Sequence, residues 1–99
     1  MPYLVEILLP VTKGLRARSH LDAIRDELMA SFGGVTMQTS RPAEGLWEDN
    51  GDVERDLIVV AEVMTGELDR EWWIAYRKEL EARFHQDEVV IRAMAFERL

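Results

Sequence analysis

One segment of this chain is written twice. Arg25-Asp26-Glu27-Leu28-Met29-Ala30-Ser31-Phe32 returns as Arg77-Lys78-Glu79-Leu80-Glu81-Ala82-Arg83-Phe84, and Arg, Glu, Leu, Ala and Phe match at one constant offset. Each copy closes a helical pattern and leads into a strand-like run. The chain therefore divides into two strand–helix–strand halves, a β-α-β-β-α-β order. That order restricts the architecture more than any composition figure does, and it names no chemistry.

The local patterns support the division. Tyr3 to Pro10 reads as a first strand. Pro10 to Arg18 reads as a loop, with Ser19 as the N-cap of a first helix and Asp22 in its first turn. Leu21, Ile24, Leu28 and Phe32 recur at helical spacing as one apolar stripe, and Gly33-Gly34 stops it. Val35 to Arg41 alternates as a second strand, which Pro42 ends because proline cannot donate to a ladder. A long connection follows through Glu44, Trp47 and the turn Asp49-Asn50-Gly51-Asp52. Arg55 to Met64 is a third strand, Leu68 to Phe84 a second helix, and Glu88 to Phe96 a fourth strand. Trp73, Tyr76, Leu80 and Phe84 hold the repeat positions of Leu21, Ile24, Leu28 and Phe32.

Right-handed crossovers convert this order into a ferredoxin-like α+β sandwich. The antiparallel sheet order is 4-1-3-2, with two helices on one face, and residues 1–99 form a single domain. Period-two alternation then sorts the strands. One face carries Val5, Ile7, Leu9, Val59, Ala61, Val63, Val89, Ile91 and Ala93, and lies under the helices. The other carries Leu4, Glu6, Leu8, Ile58, Val60, Glu62, Met64, Val90, Arg92, Met94 and Phe96. Apolar patches of that size are rarely bare on a monomer. The expected cover is the Trp47 connection, a second subunit giving a homodimer, or both.

Glu6, Glu62 and Arg92 are the charged members of that open face. Two carboxylates beside one arginine in apolar surroundings form a candidate small-molecule site, with Trp47 as a stacking wall. The plainer account is an ion pair that satisfies polar groups under an interface. Lys13, Arg16 and Arg18, leading into a helix N-terminus, form a candidate anion site. Pairing with Glu44, Glu48, Asp49, Asp52 and Glu54 explains them more simply. His20 and His85 lack metal-ligand spacing, so no metal is expected.

Composition removes several classes. Net charge is −7, from 19 acidic and 12 basic residues. Nucleic acid and anionic membrane are disfavoured as partners. There is no cysteine, which excludes disulfides and thiolate chemistry. Met1 to Val11 lacks a basic n-region and a cleavage site, so it reads as a strand and the expected location is the cytoplasm. No nucleotide, nucleophile-elbow or cofactor pattern is present, and no cofactor is expected.

The segments Phe32-Gly33-Gly34-Val35-Thr36, Pro42-Ala43-Glu44-Gly45-Leu46-Trp47, Leu68-Asp69-Arg70-Glu71-Trp72-Trp73 and Phe84-His85-Gln86-Asp87-Glu88-Val89-Val90-Ile91-Arg92-Ala93 are similar to an uncharacterised bacterial protein family. That resemblance implies a bacterial cytoplasmic protein and brings no functional residues with it. The architecture resembles dimeric α/β-barrel proteins, among them small monooxygenases and isomerases. The leading functional expectation is a dimeric domain with a small-molecule pocket on its open face. The alternative is a structural or regulatory interaction module without a ligand, and a small enzyme of the dimeric-barrel type is the third.

Overall fold

The computed structural model describes residues 1–11, 15–49 and 52–99, and side chains for 1–10, 18–38 and 58–99. The elements run β1 (Tyr3–Val11), α1 (Leu15–Phe32), β2 (Thr36–Asp49), β3 (Asp52–Thr65), α2 (Arg70–Arg83) and β4 (Val90–Ala95). The four strands form one sheet in the order β2-β3-β1-β4, which is 4-1-3-2 read from the other edge. Every strand pairing is antiparallel. The fold is the ferredoxin-like α+β sandwich that the repeated pattern dictates.

Both helices cover the aliphatic face. Val5, Ile7 and Leu9 of β1, Val59, Ala61 and Val63 of β3, and Val89 are buried against Ile24 and Leu28 of α1 and Trp73, Tyr76 and Leu80 of α2. Full burial of one such aliphatic side chain stabilises by roughly 1.5–3 kcal/mol, so this layer supplies the main driving force. Leu28 and Leu80, the repeat-equivalent leucines, are both completely buried. At the sheet edge the pattern weakens: Ile91 is half-buried and Ala93 exposed. β4 has a neighbour on one side only, which leaves its side chains open to water.

Helix ends follow local chemistry. Asp69 caps α2, its Oδ1 accepting from the Trp72 backbone N–H at 3.2 Å. α1 begins four residues before the Ser19 cap expected from sequence. Leu15, Arg16, Ala17 and Arg18 are all good helix formers, so the helix propagates through them and Ser19 falls in its interior. Gly33 ends α1 with φ 76°, and its N–H donates to the Met29 carbonyl at 2.8 Å. The Val89 N–H donates to Glu81 Oε2 at 3.0 Å, which ties the entry of β4 to α2.

The largest departure from expectation lies at Pro42. The strand does not end there, and the segment expected to be a long connection around a turn is strand as far as Asp49 and again from Asp52. β2 continues to Asp49 and pairs with β3 from Asp52. The register slips between Gln38, opposite Val60, and Ala43, opposite Ile58, so extra residues of β2 are absorbed in a bulge. β2 is an edge strand, where a proline at a bulge removes no ladder bond from a second neighbour. Asn50 and Gly51 lie outside the described residues, and Asp49 and Asp52 pair across them.

Candidate functional site

Glu6 sits mid-strand on β1, directly opposite Arg92 of β4 on one side and Glu62 of β3 on the other. Glu62 is in turn opposite Thr36 of β2. Opposed residues share a face with Cβ atoms about 5 Å apart. A single polar row therefore crosses the whole sheet. Apolar rows bound it: Met94, Leu4 and Met64 on one side, Val90, Leu8 and Val60 on the other.

Electrostatics arranges the row. Directly opposed carboxylates repel, and Glu6 and Glu62 take partners toward opposite edges of the sheet. Arg92 Nε donates to Glu6 Oε1 at 2.9 Å. Gln38 Nε2 donates to Glu62 Oε1 at 3.2 Å from the neighbouring row of β2. The Glu6 side chain is 15% exposed and that of Arg92 56%. Arg92 thus shields Glu6 while its own guanidinium end stays in solvent. The ion pair uses one nitrogen of a group that carries five N–H donors.

The flanking rows are open too. Met64 is 58% exposed, and Val90 and Met94 are 42% exposed each. Leu4, Leu8, Ile58 and Val60 are half-buried. The described elements leave this face uncovered.

The structure places the other sequence candidates as follows. Lys13 lies outside the described residues, as do the side chains of Arg16 and Trp47. Arg16 and Arg18 belong to α1 and not to a loop before it, and Arg18 is exposed. The Trp47 backbone pairs with Glu54 within the hairpin. His20 packs its ring on Phe84, centroids 5.2 Å apart and tilted by 45°. Among the described residues no group of three or more His, Cys, Asp and Glu side chains could hold a metal ion.

Two polar features escaped the sequence reading. Gln38, opposite Val60, reaches the polar row from the next row of β2, and the order 4-1-3-2 places its strand next to Glu62. The second feature joins the helices. Arg83 donates from Nη1 and Nη2 to the two oxygens of Glu27 at 2.7 Å each, and from Nη2 to Glu79 Oε1 at 2.6 Å. Tyr76 Oη donates to Glu27 Oε1 at 2.9 Å. The Arg83 hydrogen bonds hold the Glu27 carboxyl below its ordinary value, against the opposing effect of burial. Burial, then the Glu27 carboxylate, pushes the Tyr76 hydroxyl well up. The cluster clamps α1 to α2 beside the aromatic packing, where Phe32 stacks on Trp73 with centroids 5.0 Å apart.

No family model and no curated protein matches the chain. Solved structures do. The divalent cation tolerance protein CutA1 from Thermus thermophilus superposes with a TM-score of 0.61 at 17% identity, over 99% of this chain and 86% of that one. The divalent ion tolerance protein CutA1 from Ehrlichia chaffeensis gives 0.65 at 8% identity, over 99% and 83%. A de novo designed protein, Foldit4, gives 0.58 at 17% identity, over 98% and 100%. A natural protein group and a designed chain share the architecture about equally well, so the likeness is one of ferredoxin-like fold and not of chemistry.

Proposed function

We propose that this chain is a self-assembling domain whose open sheet face is its working surface. A second copy covers that face, and the homodimer acts as a structural or regulatory interaction module. The observation that carries the reading is the polar row of Arg92, Glu6 and Glu62 between two apolar rows in which Met64, Met94 and Val90 are exposed and Leu4, Leu8 and Val60 half-buried. Large apolar side chains at this density belong under another surface. A charged pair set among them satisfies polar groups and fixes register in an interface.

Light scattering on the purified chain tests it. A dimer at micromolar concentration is expected, and Leu8→Lys should give a folded monomer by circular dichroism. A wild-type monomer would overturn the reading.

A second reading places a small-molecule site at the same row. It is favoured by Glu62, whose hydrogen-bond partner among the described residues is the neutral Gln38 amide and not a cation. A ligand bearing an amine or guanidinium would complement it. The name of the natural structural neighbours, divalent cation tolerance, finds no set of ligating side chains among the described residues. The dimeric-barrel enzyme reading draws on architecture alone.

A further inference from the structure

We infer that the covering copy is related by a twofold axis running along β1, so that Arg92 of each protomer pairs with Glu62 of the other. This rests on the self-assembly reading and specifies its geometry. Arg92 engages Glu6 through Nε alone, and among the described residues neither Nη has a hydrogen-bond partner. A guanidinium held by one nitrogen presents its terminal fork for a second carboxylate. Glu62 presents a carboxylate held by a neutral amide. The two strands that bear them, β4 and β3, flank β1 on opposite sides, and neighbouring strands keep a near-constant spacing.

Symmetry selects the arrangement. Sheets packed face to face lie about 10 Å apart with their strands nearly aligned. An extended arginine and glutamate together span that gap. An axis along β1 lays each β4 over the partner's β3 at the same level, so each Arg92 faces a Glu62. The two Glu6 carboxylates near the axis are drawn apart, because each leans to its own Arg92 on opposite sides. An axis along the polar row instead lays Arg92 over Arg92 and Glu62 over Glu62, which opposes like charges under an interface. The axis along β1 also stacks the row Met94–Leu4–Met64 on itself reversed, so Met94 faces Met64.

The absence of native cysteine makes the test clean. Met94→Cys and Met64→Cys chains are mixed, re-equilibrated and treated with a short bis-maleimide. A crosslinked mixed dimer is expected. Crosslinking of Met94→Cys with Val90→Cys chains in its place would indicate the other axis and overturn the inference while leaving self-assembly standing. A closed assembly of three copies would do the same. A monomer in light scattering would overturn both. Independently, Glu62→Gln should weaken dimerisation at least roughly tenfold and reduce its salt dependence, with the circular dichroism spectrum unchanged. Unaltered dimerisation with unaltered salt dependence would remove the Arg92–Glu62 pairing.

Discussion

Glu27 and Glu79 occupy equivalent positions of the two halves, and both carboxylates close on the one guanidinium of Arg83. The repeat is therefore not only a pattern of core leucines. It brings two like charges together where the helices meet, and a single arginine in the second copy, in place of Ser31 in the first, bridges them. Asymmetry of the repeat at that one position is what lets the symmetric pair coexist.

The pH dependence of stability follows from Glu27. Its carboxyl lies below the ordinary value of 4.5, chiefly through the Arg83 hydrogen bonds. A depressed folded-state value means the contribution is complete above the ordinary value and is lost as pH falls through the lowered one. Glu27→Gln should lower the urea midpoint at neutral pH and flatten the fall in stability below about pH 4.5. Glu79→Gln should do less, since Glu79 is 56% exposed and pairs within one helix. Parallel pH profiles for wild type and Glu27→Gln would show that the clamp does not titrate as described.

The two helices end alike at a second repeat position. Gly33 has φ 76°, and its counterpart His85 has φ 52°. The His85 N–H donates to Ala82 O at 3.3 Å and the Gln86 N–H to Glu81 O at 3.0 Å, a Schellman closure with histidine where glycine is the usual residue. His85→Gly should therefore stabilise, and Gly33→Ala should destabilise, each by roughly 1 kcal/mol. A Cβ built on Gly33 meets nothing within 4 Å, so the second change isolates backbone strain. Thermal unfolding of the pair measures both, and effects of equal sign would contradict the assignment.

These features divide into those legible in the sequence and those that need the third dimension. Period-two and helical spacing located the buried face, because burial of Val5, Ile7, Leu28 and Leu80 is a one-dimensional pattern once the element type is known. Glu6 and Arg92 were legible for the same reason, with strand order added. Pro42 misled because its missing donor is decisive inside a sheet and harmless at an edge bulge. Ser19 misled because a capping side chain cannot outweigh four strong helix formers upstream. The Glu27–Arg83–Tyr76 clamp was invisible because it depends on how two helices lie against each other, which neither helix records alone.

Leu28 and Leu80 provide the most direct measure of how evenly the two halves share the core. Both are fully buried under equivalent helices against the same sheet face. Leu28→Ala and Leu80→Ala should each cost about 2–5 kcal/mol in chemical denaturation, as transfer of the lost methyl groups adds to the cavity left behind. The surroundings differ in one respect. Leu80 shares its helix with the buried aromatics Trp73 and Tyr76, whereas Leu28 shares its helix with the buried aliphatic Ile24. Trp73 and Tyr76 meet edge to face, and such rings collapse into a void less readily than aliphatic chains, so the Leu80 change should sit in the upper half of that range and the Leu28 change in the lower. A loss below about half a kilocalorie at either site would mean that its helix is not seated on the sheet as described. Equal losses would mean that the aromatic layer yields as easily as the aliphatic one.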